Sequence, residues 1–128
     1  MPLYNLACRK PLAAAARRSV AQAITETHCR VTGAPALFVN VVFLDGYPLR
    51  AGEEINAIGG VRTGGNRTPE VIARLRASLH EAIARAAGKS GEQVTVSLIG
   101  VPSSWVMEGG RVMPEPGAEG EWLSQDHR

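Results

Sequence analysis

The sequence has almost no cysteine. Cys8 and Cys29 are its only two, and their separation matches no metal-ligand spacing. That argues against a disulfide framework or a zinc site and fits a reducing cytoplasm. Long apolar runs are also missing, which excludes a membrane span. Net charge is nearly absent: the formal value is +2, and the basic residues are scattered. A nucleic-acid partner would require a basic patch, so none is expected. Acids are missing from the first 25 residues, which carry Arg9, Lys10, Arg17 and Arg18. A transit peptide has that bias, but this stretch is not serine-rich and already shows strand and helix patterns. What is present is ordinary for one soluble domain: 128 residues, 45% apolar and 20% charged.

The chain opens MPLYNLACRK. A start Met before a small residue such as Pro is usually trimmed, which would leave Pro2 with a free secondary amine. The plainer alternative is that Pro2 is an allowed second residue with a preset φ. Leu3 to Ala7 is short and apolar, as a strand is. From Leu12 to Val31 the positions Ala16, Val20, Ala23, Ile24, Thr27 and Val31 recur at three and four, predicting an amphipathic helix closed by Gly33 and Pro35. LFVNVVFL, residues 37–44, is β-branched and aromatic and reads as a buried strand. DGYPLRAGEE is turn-rich and leads to a strand near Ala57 to Val61. Thr68-Pro69-Glu70 is a helix start, with a hydroxyl cap, proline in the first turn and an acid near the positive dipole end. Ile72, Leu75, Leu79, Ile83 and Ala86 form its buried stripe, and Gly88 ends it. VTVSLIGV, residues 94–101, is a further strand.

The order strand–helix–strand, twice, predicts an α+β fold: two βαβ units in a four-stranded sheet with both helices on one face. The expected organisation is a single domain over 1–128, with halves at about 1–60 and 61–101 and a C-terminal arm at about 102–128. The other sheet face would stay apolar and must be buried by oligomerisation. The Gly-, Pro- and Glu-rich tail suits an arm or short hairpin.

Four stretches carry a family resemblance: MPLY, VAQAITETH, VRTGGNRTPE and VMEGGRVMPEPGAEGEW. In this order, across nearly the whole chain, they resemble the tautomerase superfamily and, more narrowly, cis-3-chloroacrylic acid dehalogenase and its relatives. The resemblance implies a tautomerase-like β-α-β fold, a homotrimer with sites near subunit boundaries, and no cofactor or metal.

It also assigns roles. Pro2 would be the catalytic amine, its pKa depressed by nearby cations and an apolar wall. His28 falls on the apolar stripe of the first helix, where a core histidine is the alternative; the resemblance gives it a water-orienting or substrate-binding role. Arg62 and Arg67 flank a glycine-rich turn and would clamp a carboxylate, since a guanidinium fork matches one bidentately. The family places two residues between its arginines, whereas this chain places four, TGGN. Arg67 matches directly before the helix cap, and Arg62 matches through a two-residue insertion. Glu108 stands where the dehalogenase holds a water-activating carboxylate. One departure is informative: the dehalogenase's late-strand tyrosine is replaced here by Ser97. The lost hydroxyl tells against dehalogenation more than against tautomerisation.

The expected function is keto–enol tautomerisation of a small carboxylate-bearing substrate, with Pro2 moving the proton. The alternatives are hydration or dehalogenation of unsaturated (halo)acrylic acids, with Glu108 and His28 activating water, and a non-catalytic trimeric binding protein.

Overall fold

The computed structural model describes residues 1–45 and 48–125. Its elements are β1 (Leu3–Cys8), α1 (Ala14–Thr32), β2 (Asn40–Leu44), β3 (Ile55–Thr63), α2 (Pro69–Ala87), β4 (Val94–Pro102), the short hairpin strands β5 (Met107–Glu108) and β6 (Arg111–Val112), and α3 (Glu119–Ser124). The sheet order is β2-β1-β3-β4. β1 runs parallel to β2 and β3 parallel to β4, while the central β1–β3 pair is antiparallel. Each parallel pair is one strand–helix–strand unit, so the expected pair of βαβ units is the observed architecture. The turn expected at 45–54 falls partly on Gly46 and Tyr47, outside the described residues, as are the last three positions of the arm.

Boundaries move for local reasons. α1 begins at Ala14 with no side-chain cap, because Pro11 and the alanines after it offer no oxygen. Residues Ala36–Phe38 form a 3-10 turn after Pro35, which delays β2 to Asn40. α2 begins as its sequence dictates: the Thr68 hydroxyl accepts from the Val71 amide at 3.2 Å, with Pro69 and Glu70 in the first turn.

One core joins both helices to one sheet face. Val20 and Ile24 of α1 meet Leu75, Leu79 and Ile83 of α2 over Tyr4, Leu6, Ile55, Ala57, Val61, Val94 and Val96. The opposite face exposes Leu3, Val42, Leu44, Ile58 and Ile99. No described helix is long and apolar enough to cross a membrane.

Register places Tyr4 opposite Gly59 and Gly59 opposite Leu98. The Tyr4 ring fills the space a side chain would take: a Cβ on Gly59 would lie 2.4 Å from Tyr4 Cε1 and 2.9 Å from Leu98 Cδ2. Gly59→Ala is therefore expected to lower stability by about 1–3 kcal/mol, the usual range for overpacking a dense core. Urea denaturation measures this, and a loss under ~0.5 kcal/mol, the scale of an ordinary surface change, would show that the ring is free to move.

Candidate active site

The last turn of α1 presents His28, which is 1% exposed. Its Nδ1 lies 2.7 Å from the Tyr4 hydroxyl, and the two rings meet edge to face at 5.7 Å. Burial, then the charges of Arg67, Arg62 and the chain's first amine, lower its pKa to about 3. His28 is therefore neutral at pH 7 and carries one ring proton. Burial raises the Tyr4 phenol well above its ordinary value, so it keeps its proton. With Tyr4 donating to Nδ1, the ring proton sits on Nε2, which is buried and has no hydrogen-bond partner among the described residues.

Tyr4 is the member that sequence reading missed. A buried phenol requires a partner, and Tyr4 lies two residues after Pro2 on an inward-facing strand position. Those two facts are the only sequence signal for it.

Arg67 stands just before the α2 cap and turns back toward α1. Its Nη1 donates to the Thr32 carbonyl at 3.3 Å and to the Asn66 side-chain oxygen. Thr32 is the last residue of α1, where free carbonyls and the negative dipole end attract a cation. Burial lowers the Arg67 pKa, yet a guanidinium stays protonated. Its Nε is buried and has no partner among the described residues.

Arg62 ends up elsewhere than a free clamp would. The strand pleat puts it on the face of Ile58 and Gly60, and the C-terminal segment closes over it. Its Nη1 donates to the Pro114 carbonyl at 2.5 Å and its Nη2 to Glu119 Oε1 at 2.9 Å. The two side chains are 1% and 5% exposed, a fully buried ion pair. Glu119 Oε2 accepts from the Gly117 amide at 2.8 Å.

The TGGN loop explains how the segment fits. The Asn66 amide donates to the Pro116 carbonyl at 3.3 Å, and a Cβ on Gly65 (φ +55) would sit 2.0 Å from that oxygen. Only glycine permits both the backbone conformation and the approach.

Pro2 is buried, and its carbonyl accepts from the Asn40 amide at 3.0 Å. With Met1 present its nitrogen is an amide. The amine of Met1 makes a direct ion pair with Glu108 at the start of the β5–β6 hairpin. Burial, then the Arg62 charge, lower this amine's pKa to about 6. The Glu108 contact acts in the opposite sense. Beside Glu108 lies an open depression of about 330 Å³ lined by Leu37, Phe38, Arg111 and Trp122. The Arg111 guanidinium sits 4.1 Å above the Trp122 ring, and Phe38 packs edge-on against that ring.

Of the expected residues, Glu108 pairs with the amine of Met1, the residue before Pro2, and not with Pro2 itself. The charges of Arg62 and that first amine are near enough to lower the pKa of His28, and Arg62 lowers that of the amine. Among the described residues no hydrogen bond joins Glu108 to His28; each has a different partner. Ser97 pairs with Ile58 and is exposed on the open sheet face, away from Tyr4 and His28. Among the described residues no three of His, Cys, Asp and Glu gather as metal ligands.

The fold that carries these side chains has counterparts among solved structures. N1, a member of the cis-3-chloroacrylic acid dehalogenase family, matches at 28% identity and a TM-score of 0.87, covering 97% of this chain and 92% of that one. Ps01740 matches at 31% identity and a TM-score of 0.68, covering 84% of this chain and 100% of that one. The chain belongs to the tautomerase superfamily. Within that superfamily it resembles cis-3-chloroacrylic acid dehalogenase. A fused 4-OT trimer at 21% identity and a TM-score of 0.76, covering 97% of this chain and 100% of that one, shares the tautomerase fold. No family model matches the chain, and no curated protein matches it.

Proposed function

We propose that this tautomerase-superfamily chain is an enzyme for keto–enol tautomerisation of a small carboxylate-bearing substrate. The observation that carries the reading is the pair of buried donors without partners among the described residues, Arg67 Nε and His28 Nε2, in a chain whose first amine has a depressed pKa. Two buried guanidiniums, Arg62 and Arg67, face one buried carboxylate, Glu119, which leaves one positive charge for an anion to neutralise.

In this reading Met1 is removed and Pro2 becomes the amino terminus. Its secondary amine, neutral near pH 7, takes the proton from the enol hydroxyl or α-carbon and returns it on the other atom. Arg67 anchors the substrate carboxylate and opposes the negative charge that develops on the enolate. His28 is too hard to protonate to serve as an acid; it donates from Nε2 and orients the substrate. Tyr4 fixes the ring that makes that donation.

Hydration of an unsaturated acid is the second reading, favoured by Glu108. Its carboxylate pairs with the Met1 amine; with Met1 removed it would activate water, with Pro2 as the acid. Ser97, exposed on the open face, supplies no phenol to help a leaving halide.

A substrate panel separates the readings. Tautomerisation should give an ultraviolet change with a phenylenolpyruvate-type enol, while chloride release from cis-3-chloroacrylate should be weak. Efficient dehalogenation without enol turnover would favour the second reading, and turnover of neither class would leave a binding protein.

The assembly belongs to the same proposal. Leu3, Val42, Leu44, Ile58 and Ile99 expose an apolar sheet face that a monomer would leave wet. Fused 4-OT relatives form trimers. A homotrimer is expected, with a light-scattering mass three times the 13.6 kDa of the chain. A monomeric mass at micromolar concentration would contradict it.

A further inference from the structure

We propose that Glu119 sets how many substrate carboxylates the site accepts, by neutralising Arg62 from within the chain and leaving Arg67 as the single charged anchor. This rests on the reading of Arg67 as a carboxylate anchor.

The geometry carries it. Arg62 has one arm on the Pro114 carbonyl and the other on Glu119, at 2.5 and 2.9 Å. Glu119 already occupies the position a substrate carboxylate would take on that guanidinium. It is not a loose partner, since its second oxygen is held by the Gly117 amide and the residue is 4% exposed. The segment that delivers it is locked to the arginine loop through the Asn66–Pro116 hydrogen bond and the close approach at Gly65. Arg67 is reached by the Glu119 charge but makes no hydrogen bond to a carboxylate among the described residues. Its hydrogen-bond partners there are the neutral oxygens of Thr32 and Asn66, and its Nε has none among the described residues. Two arginines that look equivalent in the sequence are therefore unequal: one is spent on the fold, the other is open to an anion.

The other titratable groups around the pair are the amine of Met1, Tyr4 of β1, His28 of α1, Glu108 of β5, and Glu115, whose carboxylate lies over Gly64. None of them makes a hydrogen bond to Arg62 among the described residues. Glu119 is thus a positioning and specificity-setting residue rather than one that touches substrate.

The test is calorimetric binding without turnover, with a monocarboxylate (acrylate) and a dicarboxylate (maleate) as probes. Wild-type protein should bind acrylate, and bind maleate no more than about threefold tighter, because the second cation is already neutralised. Glu119→Gln keeps the side-chain shape and frees Arg62. The maleate-to-acrylate affinity ratio should then rise about tenfold, the scale of one charged hydrogen bond. Glu119→Asp, which keeps the charge, should move the ratio back toward wild type. A purely structural Glu119 would lower Tm in both variants and leave the ratio unchanged, which overturns the proposal. Wild-type protein that prefers maleate about tenfold overturns it with no variant needed. If neither probe binds wild type, the anchor reading of Arg67 fails as well, a different outcome from an unmoved ratio.

Discussion

Arg67→Ala should reduce kcat/KM by about 100-fold, or ~2.7 kcal/mol, with KM rising and kcat falling together. The double effect follows from where the guanidinium sits. It is 9% exposed, held by Thr32 and Asn66, and its Nε has no partner among the described residues. On the proposed reading, a group preorganised in that way would bind the carboxylate in the ground state and oppose enolate charge as it develops. Losing it removes both contributions. The side chain also ties the start of α2 to the end of α1, so the variant's Tm must be measured alongside. Arg67→Lys is the sharper probe. It keeps the charge but presents no planar fork, so it should recover binding more than turnover. Arg62→Ala should behave differently: it strands the buried Glu119 carboxylate and so should show mainly as lost stability. If Arg67→Ala leaves kcat/KM within about twofold, well short of the ~1.4 kcal/mol of a tenfold effect, the carboxylate is bound elsewhere.

How much of this was legible in the sequence differs between fold and site. The four main strands and two long helices were legible because their signals are local, but β2, read as buried, is an edge strand of alternating exposed and half-buried positions. VTVSLIGV alternates buried and exposed positions, and Thr68-Pro69-Glu70 caps a helix by its own side chains. The 3-10 turn at Ala36–Phe38 was not legible, since its apolar residues continue the strand pattern without a break. Pro2, His28 and Arg67 could be singled out because motif positions survive in a linear string. The partners of His28 and Arg62 could not. Tyr4 lies 24 residues from His28, and Glu119 lies 57 from Arg62. What joins them is strand register in the first case and the path of the C-terminal segment in the second. Neither leaves a periodic trace. Glu119 in particular read as one acid of a Gly-, Pro- and Glu-rich tail, although its burial makes it the counterion of the loop arginine. Ser97 shows the reverse case: the alignment that singled it out is visible in the sequence, but its exposure on the open face is a property of the sheet.

The second large effect concerns the first two residues. With Met1 attached, the Pro2 nitrogen is an amide, its lone pair is delocalised, and it cannot accept a proton near neutral pH. Met1 also brings its own amine onto Glu108 and lays its side chain over Gly60, where a Cβ would lie 2.8 Å from Met1 Cε. Retained methionine would therefore block the proposed base, and it fills space beside Glu108. Removing it should place the Pro2 amine under the same influences that lower the Met1 amine to about 6, burial first and then Arg62. Both disfavour the charged form, so the pKa falls and the amine is neutral above it. Activity should accordingly rise with pH through that pKa, and the ascending limb of kcat/KM should lie below the ~7.7–8.0 of an ordinary terminal amine. Pro2→Ala, processed in the same way, should keep part of the activity because a primary amine remains. Its ascending limb should shift, and its freer backbone should lower kcat.

In the proposed reaction the nitrogen of Pro2 moves the proton. Two preparations of the same chain, one verified by intact mass to begin at Pro2 and one verified to retain Met1, can be compared for enol tautomerisation. The account predicts turnover in the first and a loss of at least about 1000-fold in kcat/KM, ~4 kcal/mol, in the second. Equal activity in the two preparations would contradict it, because a catalyst indifferent to acylation of Pro2 cannot be using that nitrogen.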